Sequence, residues 1–167
     1  RFESRLQDQA THDELTGLPN RTLLVDRLRM ALSRSRRTGA GVAVLFCDLD
    51  EFKTVNDDLG HTAGDALLRE VSARLQRAVT DRHLLARFGG DEFVVVARDL
   101  HEVGEAVELA ERMCEELSAP ITLGGREVSV ERFALSGRDI DITLTYASDS
   151  GEWLALDSRI ESGRMLR

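Results

Sequence analysis

Leu84-Leu85-Ala86-Arg87-Phe88-Gly89-Gly90-Asp91-Glu92-Phe93-Val94-Val95-Val96-Ala97 is the stretch that decides the fold. Leu84–Phe88 and Glu92–Ala97 are apolar and of strand length. They flank Gly89-Gly90-Asp91, residues that tolerate positive φ, so the segment predicts a β-hairpin. Upstream, Val42–Asp48 is nearly all apolar and reads as a central strand buried on both faces. A loop is expected over Asp48–Asp65, then a helix with Leu67, Leu68, Val71 and Leu75 at helical spacing. Downstream, Val103, Val107, Ala110, Cys114 and Leu117 lie on one stripe of a further helix, and Ile121–Val128 reads as a second hairpin.

Ahead of the central strand, Asn20 is placed to cap a helix running to about Arg37 and ending at Gly39 or Gly41. Its expected buried face carries Leu24, Leu28, Ala31 and Leu32. The order helix, strand, helix, hairpin, helix predicts an α+β domain with helices packed on an antiparallel or mixed sheet. One more strand is needed after the last helix to complete that sheet.

The chain has 167 residues, the length of one domain, and its 42% hydrophobic and 31% charged residues are those of a globular protein. A net charge of −8 argues against a tracker of nucleic-acid phosphates. The longest apolar run, Val42–Cys47, is far short of the roughly 20 residues a membrane span needs, so no direct membrane contact is expected. Cys47 and Cys114 sit inside apolar patterns, which points to a reducing, cytoplasmic compartment and no disulfide framework. Residues 1–11 read as the end of a polar helix that continues from an upstream part.

Asp48 ends the central strand and Asp91 sits in the hairpin turn, positions from which the two side chains can converge. Two carboxylates with a main-chain carbonyl between them make an oxygen-rich Mg²⁺ site. Lys53 is a candidate phosphate contact, Asn56 and Asp65 can pair with a purine edge, and Phe52 can wall the pocket. Taken singly these are ordinary turn, strand-end or loop residues. Their joint order and spacing is what points to chemistry.

Four segments carry a resemblance. Asp13-Glu14-Leu15-Thr16-Gly17-Leu18-Pro19-Asn20-Arg21 is similar to D-x-L-T-G-L-x-N-R. Asp48–Asp57 resembles D-x-D-x-F-K-x-x-N-D, and Gly60–Asp65 resembles G-H-x-x-G-D. Arg87–Phe93 contains the signature that gives the GGDEF family its name. Residues 12–130 are thus identified as resembling a GGDEF domain, with the nucleotidyl-cyclase-like, ferredoxin-like palm of that family.

The resemblance implies a diguanylate cyclase that joins two GTP molecules into cyclic di-GMP, with loss of pyrophosphate, across a homodimer. It implies Mg²⁺ or Mn²⁺ on Asp48, Asp91 and the Leu49 carbonyl. Lys53 would contact phosphate, Phe52 would line the pocket, Asn56 and Asp65 would read guanine, and Gly89 and Gly90 would admit the triphosphate. Glu92 and Asp91 would act on the attacking 3′-hydroxyl, and an upstream sensor domain is expected. The rival reading is a catalytically impaired module that holds GTP and metal, or dimerises, to regulate a neighbour.

Two departures from the family stand out. The product-inhibition motif R-x-x-D is replaced by Thr80-Asp81-Arg82-His83, so feedback binding there is expected to be absent. After about Val130 the S-I-G-x-A strand and the helix A-x-x-A-K-x-x-G-x-N do not follow. Residues 131–167 read instead as an atypical β-rich tail without lysine, with a strand over 139–147 and β character from Trp153. Either 139–147 replaces the missing strand, or the tail is a foreign sequence that packs poorly; the second is preferred.

Overall fold

Phe93–Ala97, buried throughout, builds the centre of the fold by sending alternate side chains to opposite faces. Phe93, Val95 and Ala97 enter one hydrophobic cluster while Val94 and Val96 enter another, as the period of two in a strand requires. The computed structural model describes residues 10–49, 52–123, 125–128, 132–137, 140–146 and 153–160. The helix expected over residues 1–11 lies outside these except for its last two positions.

The elements in order are α1 (Arg21–Thr38), β1 (Gly41–Asp48), α2 (Phe52–Leu59), α3 (His61–Ala78), β2 (His83–Arg87), β3 (Glu92–Leu100) and α4 (Gly104–Ser118). Then come β4 (Ile121–Leu123), β5 (Arg126–Val128), β6 (Arg132–Gly137), β7 (Ile140–Tyr146) and β8 (Trp153–Ile160). The main sheet runs β2-β3-β1-β6-β7-β8, with every neighbouring pair antiparallel; β4 and β5 form a separate hairpin. Within it, β2-β3-β1-β6 is the four-stranded, ferredoxin-like palm, so the fold is α+β.

Local chemistry sets the helix ends. The Asn20 side chain accepts hydrogen bonds from the Thr22 and Leu23 N–H groups at 3.0 and 3.2 Å, capping α1. Gly39, at φ 75°, closes it in the left-handed conformation that glycine adopts without strain. α1 lays Leu24 and Ala31 on Ala86, Val94 and Val96. On the other face α3 and α4 bring Leu67, Leu68, Val71, Leu75, Leu109, Met113 and Leu117 against Leu45, Phe93 and Val95. Each such side chain contributes roughly 1.5–3 kcal/mol on full burial, so this second layer carries most of the hydrophobic stabilisation. Cys47 and Cys114 are buried within it and are not joined by a disulfide. Burial pushes the Cys47 thiol far up, with Cys114 and Asp48 adding to the effect, so it stays protonated.

Several expectations are corrected. The strand buried on both faces is β3; on β1, Leu45 and Cys47 are buried but Phe46 is 41% exposed, because Val42 and Val44 pack into the cluster under α1 while Phe46 lies outside it. Leu32 and Val103 are exposed, the first facing away from the sheet and the second lying one residue before α4. The loop expected over Asp48–Asp65 is largely α2 and the first turn of α3. The strand beside β1 is 132–137, with Val44 opposite Ser136 and Cys47 opposite Phe133, and the strand expected over 139–147 sits one place further out as β7.

Candidate nucleotide and metal site

The predicted site gathers at one end of the palm, where β1 runs out and the β2–β3 hairpin turns. Asp48 is the last residue of β1 and stands in register with Glu92, the first of β3. One step on, the Leu49 N–H donates to the Asp91 carbonyl at 3.3 Å. That bond ties the acid-bearing end of β1 to the glycine turn. The Leu49 carbonyl accepts the Phe52 N–H at 3.3 Å, and a carbonyl has a second lone pair to offer. Leu49 itself is buried, so its main chain is held by the core.

Gly89 and Gly90 do not adopt the left-handed conformation the turn was expected to use; among the described residues the positive-φ glycines are Gly17, Gly39, Gly60 and Gly125. Space is what matters at Gly89, where a Cβ would lie 2.8 Å from a carboxylate oxygen of Glu92. Gly90 faces open space. The Phe88 N–H donates to the Glu92 carbonyl at 2.8 Å and closes the hairpin.

A second group forms where α2 meets α3. A Cβ on Gly64 would collide with Oδ1 of Asn56, so the asparagine amide lies directly on the glycine of the first turn of α3. Asp65 is the next residue along α3. Asn56 and Asp65 are both half-buried. Lys53 lies three residues before Asn56 on α2, is exposed, and is the chain's only lysine. Phe52 is half-buried and packs on the core at the start of α2.

Among the described residues, no three His, Cys, Asp or Glu side chains are grouped to hold a metal ion. The oxygen donors expected from the sequence are two carboxylates, of Asp48 and Asp91, and one carbonyl, of Leu49. Such a set fits Mg²⁺, which commonly takes one or two carboxylates and completes its shell with water and substrate phosphate.

Sequence reasoning gave no role to Arg87, which the structure shows to organise the turn. Its Nε and Nη2 donate to the Gly90 carbonyl at 3.1 and 2.7 Å, and its Nη1 contacts both oxygens of Asp13 at 3.0 Å. Partial burial of Asp13 opposes ionisation, but hydrogen bonds from Thr16 and Arg87 outweigh it and hold the carboxyl below its ordinary value. The place of Arg87 two residues ahead of Gly89 was the available signal for its role. Beside it opens a cavity of about 300 Å³ whose lining includes Arg21, Phe88 and Gly89. The Arg21 guanidinium lies 4.9 Å from the Phe88 ring centre, a cation–π contact.

Comparison with known proteins agrees with this architecture. The family described as "Diguanylate cyclase, GGDEF domain" matches residues 10–133. The cyclic di-GMP phosphodiesterase NbdA of Pseudomonas aeruginosa is 46% identical over 72% of this chain and 15% of its own length. The diguanylate cyclase TpbB of the same organism is 40% identical over 73% of this chain and 30% of its own. This chain thus spans less than a third of either relative. A solved structure comprising only the TpbB GGDEF domain superposes with a TM-score of 0.70 at 39% identity, covering 74% of this chain and 73% of that one. Among the described residues, no helix is long and apolar enough to cross a membrane. From sequence match and fold together, the chain belongs to the GGDEF domain family.

Proposed function

We propose that this domain is a diguanylate cyclase, condensing two GTP molecules held by two facing copies into cyclic di-GMP. The observation that carries the reading is the Leu49 N–H bond to the Asp91 carbonyl, which holds Asp48, the Leu49 carbonyl and Asp91 to one sheet end. In the reaction each 3′-oxygen bonds to the α-phosphorus of the other nucleotide, as the bond from that phosphorus to pyrophosphate breaks. Two such exchanges close the ring and release two pyrophosphates.

Asp48, Asp91 and the Leu49 carbonyl would hold Mg²⁺ or Mn²⁺. Bound there, the cation would supply charge neutralisation for the triphosphate and acidify the attacking hydroxyl. Lys53 contacts phosphate, and the open main chain at Gly89 and Gly90 admits the triphosphate. Asn56 and Asp65 pair with the guanine edge, with Phe52 as a wall. Glu92, with Asp91, orients the 3′-hydroxyl, and the Glu92 carboxylate accepts its proton. Orientation of this kind provides a large share of catalysis in reactions that lack a protein nucleophile. An upstream sensor domain would set how the copies face each other, in the cytoplasm where GTP is found.

A second reading has its own observation. Residues 132–160 supply strands β6, β7 and β8 and no lysine, where the family pattern expects a helix with basic residues. Losing one transition-state cation contact costs about 100- to 1000-fold in rate. That would leave a module that binds GTP and metal, or dimerises, to regulate a neighbouring domain.

Chromatography of nucleotides after incubation with GTP and Mg²⁺ at high protein concentration separates the two, with Asp91→Ala alongside. Cyclic di-GMP that vanishes in the variant supports the cyclase. No product, with Lys53 still shielded by GTP from acetylation, supports the binding module. If GTP neither reacts nor shields Lys53, the cyclase and the GTP-binding module both fail, and a dimerisation module alone is left.

A further inference from the structure

We propose that the cavity between Arg21, Phe88 and Gly89 receives the nucleotide carried by the facing copy, with Arg21 contacting its phosphates. The inference rests on the two-nucleotide reaction proposed above and adds a residue to it. A condensation of two identical nucleotides needs, at each glycine turn, groups for the resident molecule and groups for the incoming one. Asp48, Lys53, Asn56 and Asp65 form a set for the first, and none of them lines the cavity. The cavity shares only Gly89 with the predicted site, yet Gly89 is two residues from Asp91 in the same turn.

The charges in the cavity favour an anion. Arg87 and Asp13 neutralise each other there, and Arg87 is further committed to the Gly90 carbonyl. The first N–H groups of α1 are already satisfied by Asn20. Arg21 is different: among the described residues it makes no ion pair, and its guanidinium rests on the Phe88 ring while remaining exposed. A planar guanidinium fixed on an aromatic face keeps its donors for phosphate oxygens. Phe46 meets Phe88 edge to face at 6.4 Å and is itself partly exposed, extending the aromatic wall across the open part of β1.

The test uses guanosine 5′-(α,β-methylene)triphosphate with Mg²⁺, which can bind but cannot release pyrophosphate. Equilibrium dialysis of dilute chain reads affinity and stoichiometry, and sedimentation reads nucleotide-driven dimerisation. We expect one nucleotide per chain, and a dimer that Arg21→Ala weakens about 10- to 100-fold without changing the affinity of the dilute chain. Arg29→Ala, at an exposed arginine of α1 outside the cavity, should leave both readings unchanged. The proposal is overturned if Arg21→Ala dimerises like the parent, if the variant loses affinity as a dilute chain, or if two nucleotides bind per chain. It is equally overturned if the parent binds nucleotide without dimerising. Absence of any binding by the parent, seen at the dialysis stage, removes the underlying cyclase reading instead and the cavity's role with it.

Discussion

Arg87 and Asp13 stand 74 positions apart in sequence and meet in an ion pair with Nη1 3.0 Å from each carboxylate oxygen. The same guanidinium grips the Gly90 carbonyl, so one side chain fixes the glycine turn against the loop ahead of α1. Both partners are largely shielded, with side chains 14% and 24% exposed. Arg87→Ala should therefore lower the unfolding free energy by about 1.5–3 kcal/mol, read from urea denaturation. Arg87→Lys should recover only part of it, because an ammonium cannot reproduce the planar fork that spans both acceptors. An unchanged midpoint in the alanine variant would show the pair to be incidental.

Gly64 and Asn56 make a prediction about base recognition. Alanine at 64 places a methyl where the Asn56 amide now lies, so that amide must swing away. We expect Gly64→Ala to fold, but to bind GTP about tenfold more weakly, the equivalent of about 1.4 kcal/mol. Its preference for GTP over ATP should narrow as well. Dialysis with the two nucleotides measures both; intact discrimination would take Asn56 out of the guanine contact.

His83 makes stability depend on pH. Burial lowers its pKa first, and the nearby Arg112, Arg82 and Arg98 lower it further against a smaller opposing pull from Glu105. Its Nδ1 accepts the Thr80 N–H at 3.0 Å, a bond only the neutral ring can accept. In the unfolded chain histidine titrates near pH 6.5. Between that value and the lower folded one, the unfolded state binds more protons, so stability is full above about pH 6.5 and is lost as pH falls through the window. Urea midpoints from about pH 8 down to about pH 5 should decline less steeply in His83→Gln than in the parent. Parallel declines would rule His83 out as the source.

The pairing of β6 with β1 predicts where the chain can be shortened. Ending it after Val130 removes β6 and leaves β1 with an open row of main-chain donors and acceptors, a template for aggregation. Ending it after Gly137 keeps β6 and removes β7 and β8. Light scattering should find the first truncation associated and the second dispersed. If both behave alike, β6 does not protect β1.

The hairpin, the three long helices and the acid-bearing strand were legible because each rests on local periodicity or a turn signal. Which face of β1 is covered was not, since Val42–Cys47 is apolar throughout and only the placement of α1 decides that Phe46 stays half open. The strand at 132–137 was missed because Glu131-Arg132-Phe133-Ala134-Leu135-Ser136 lacks the strict alternation seen at Ile140–Tyr146. At the site, residue types and spacing placed Asp48, Leu49 and Asp91 on adjoining strand ends. The Arg87–Asp13 pair was out of reach, because a contact across 74 positions leaves no periodic trace.

Residues held by packing and residues held by chemistry have different fates when an activity is abandoned. Gly64 touches the Asn56 side chain and Arg87 secures a turn, so folding alone gives a reason to retain them. Lys53 is exposed on α2, and replacing it would cost the fold little. A domain drifting toward a scaffold would lose this lysine early and those two late. For a lineage still under selection for handling phosphate, the solitary lysine is therefore the position to watch, and Gly64 and Arg87 are poorer witnesses.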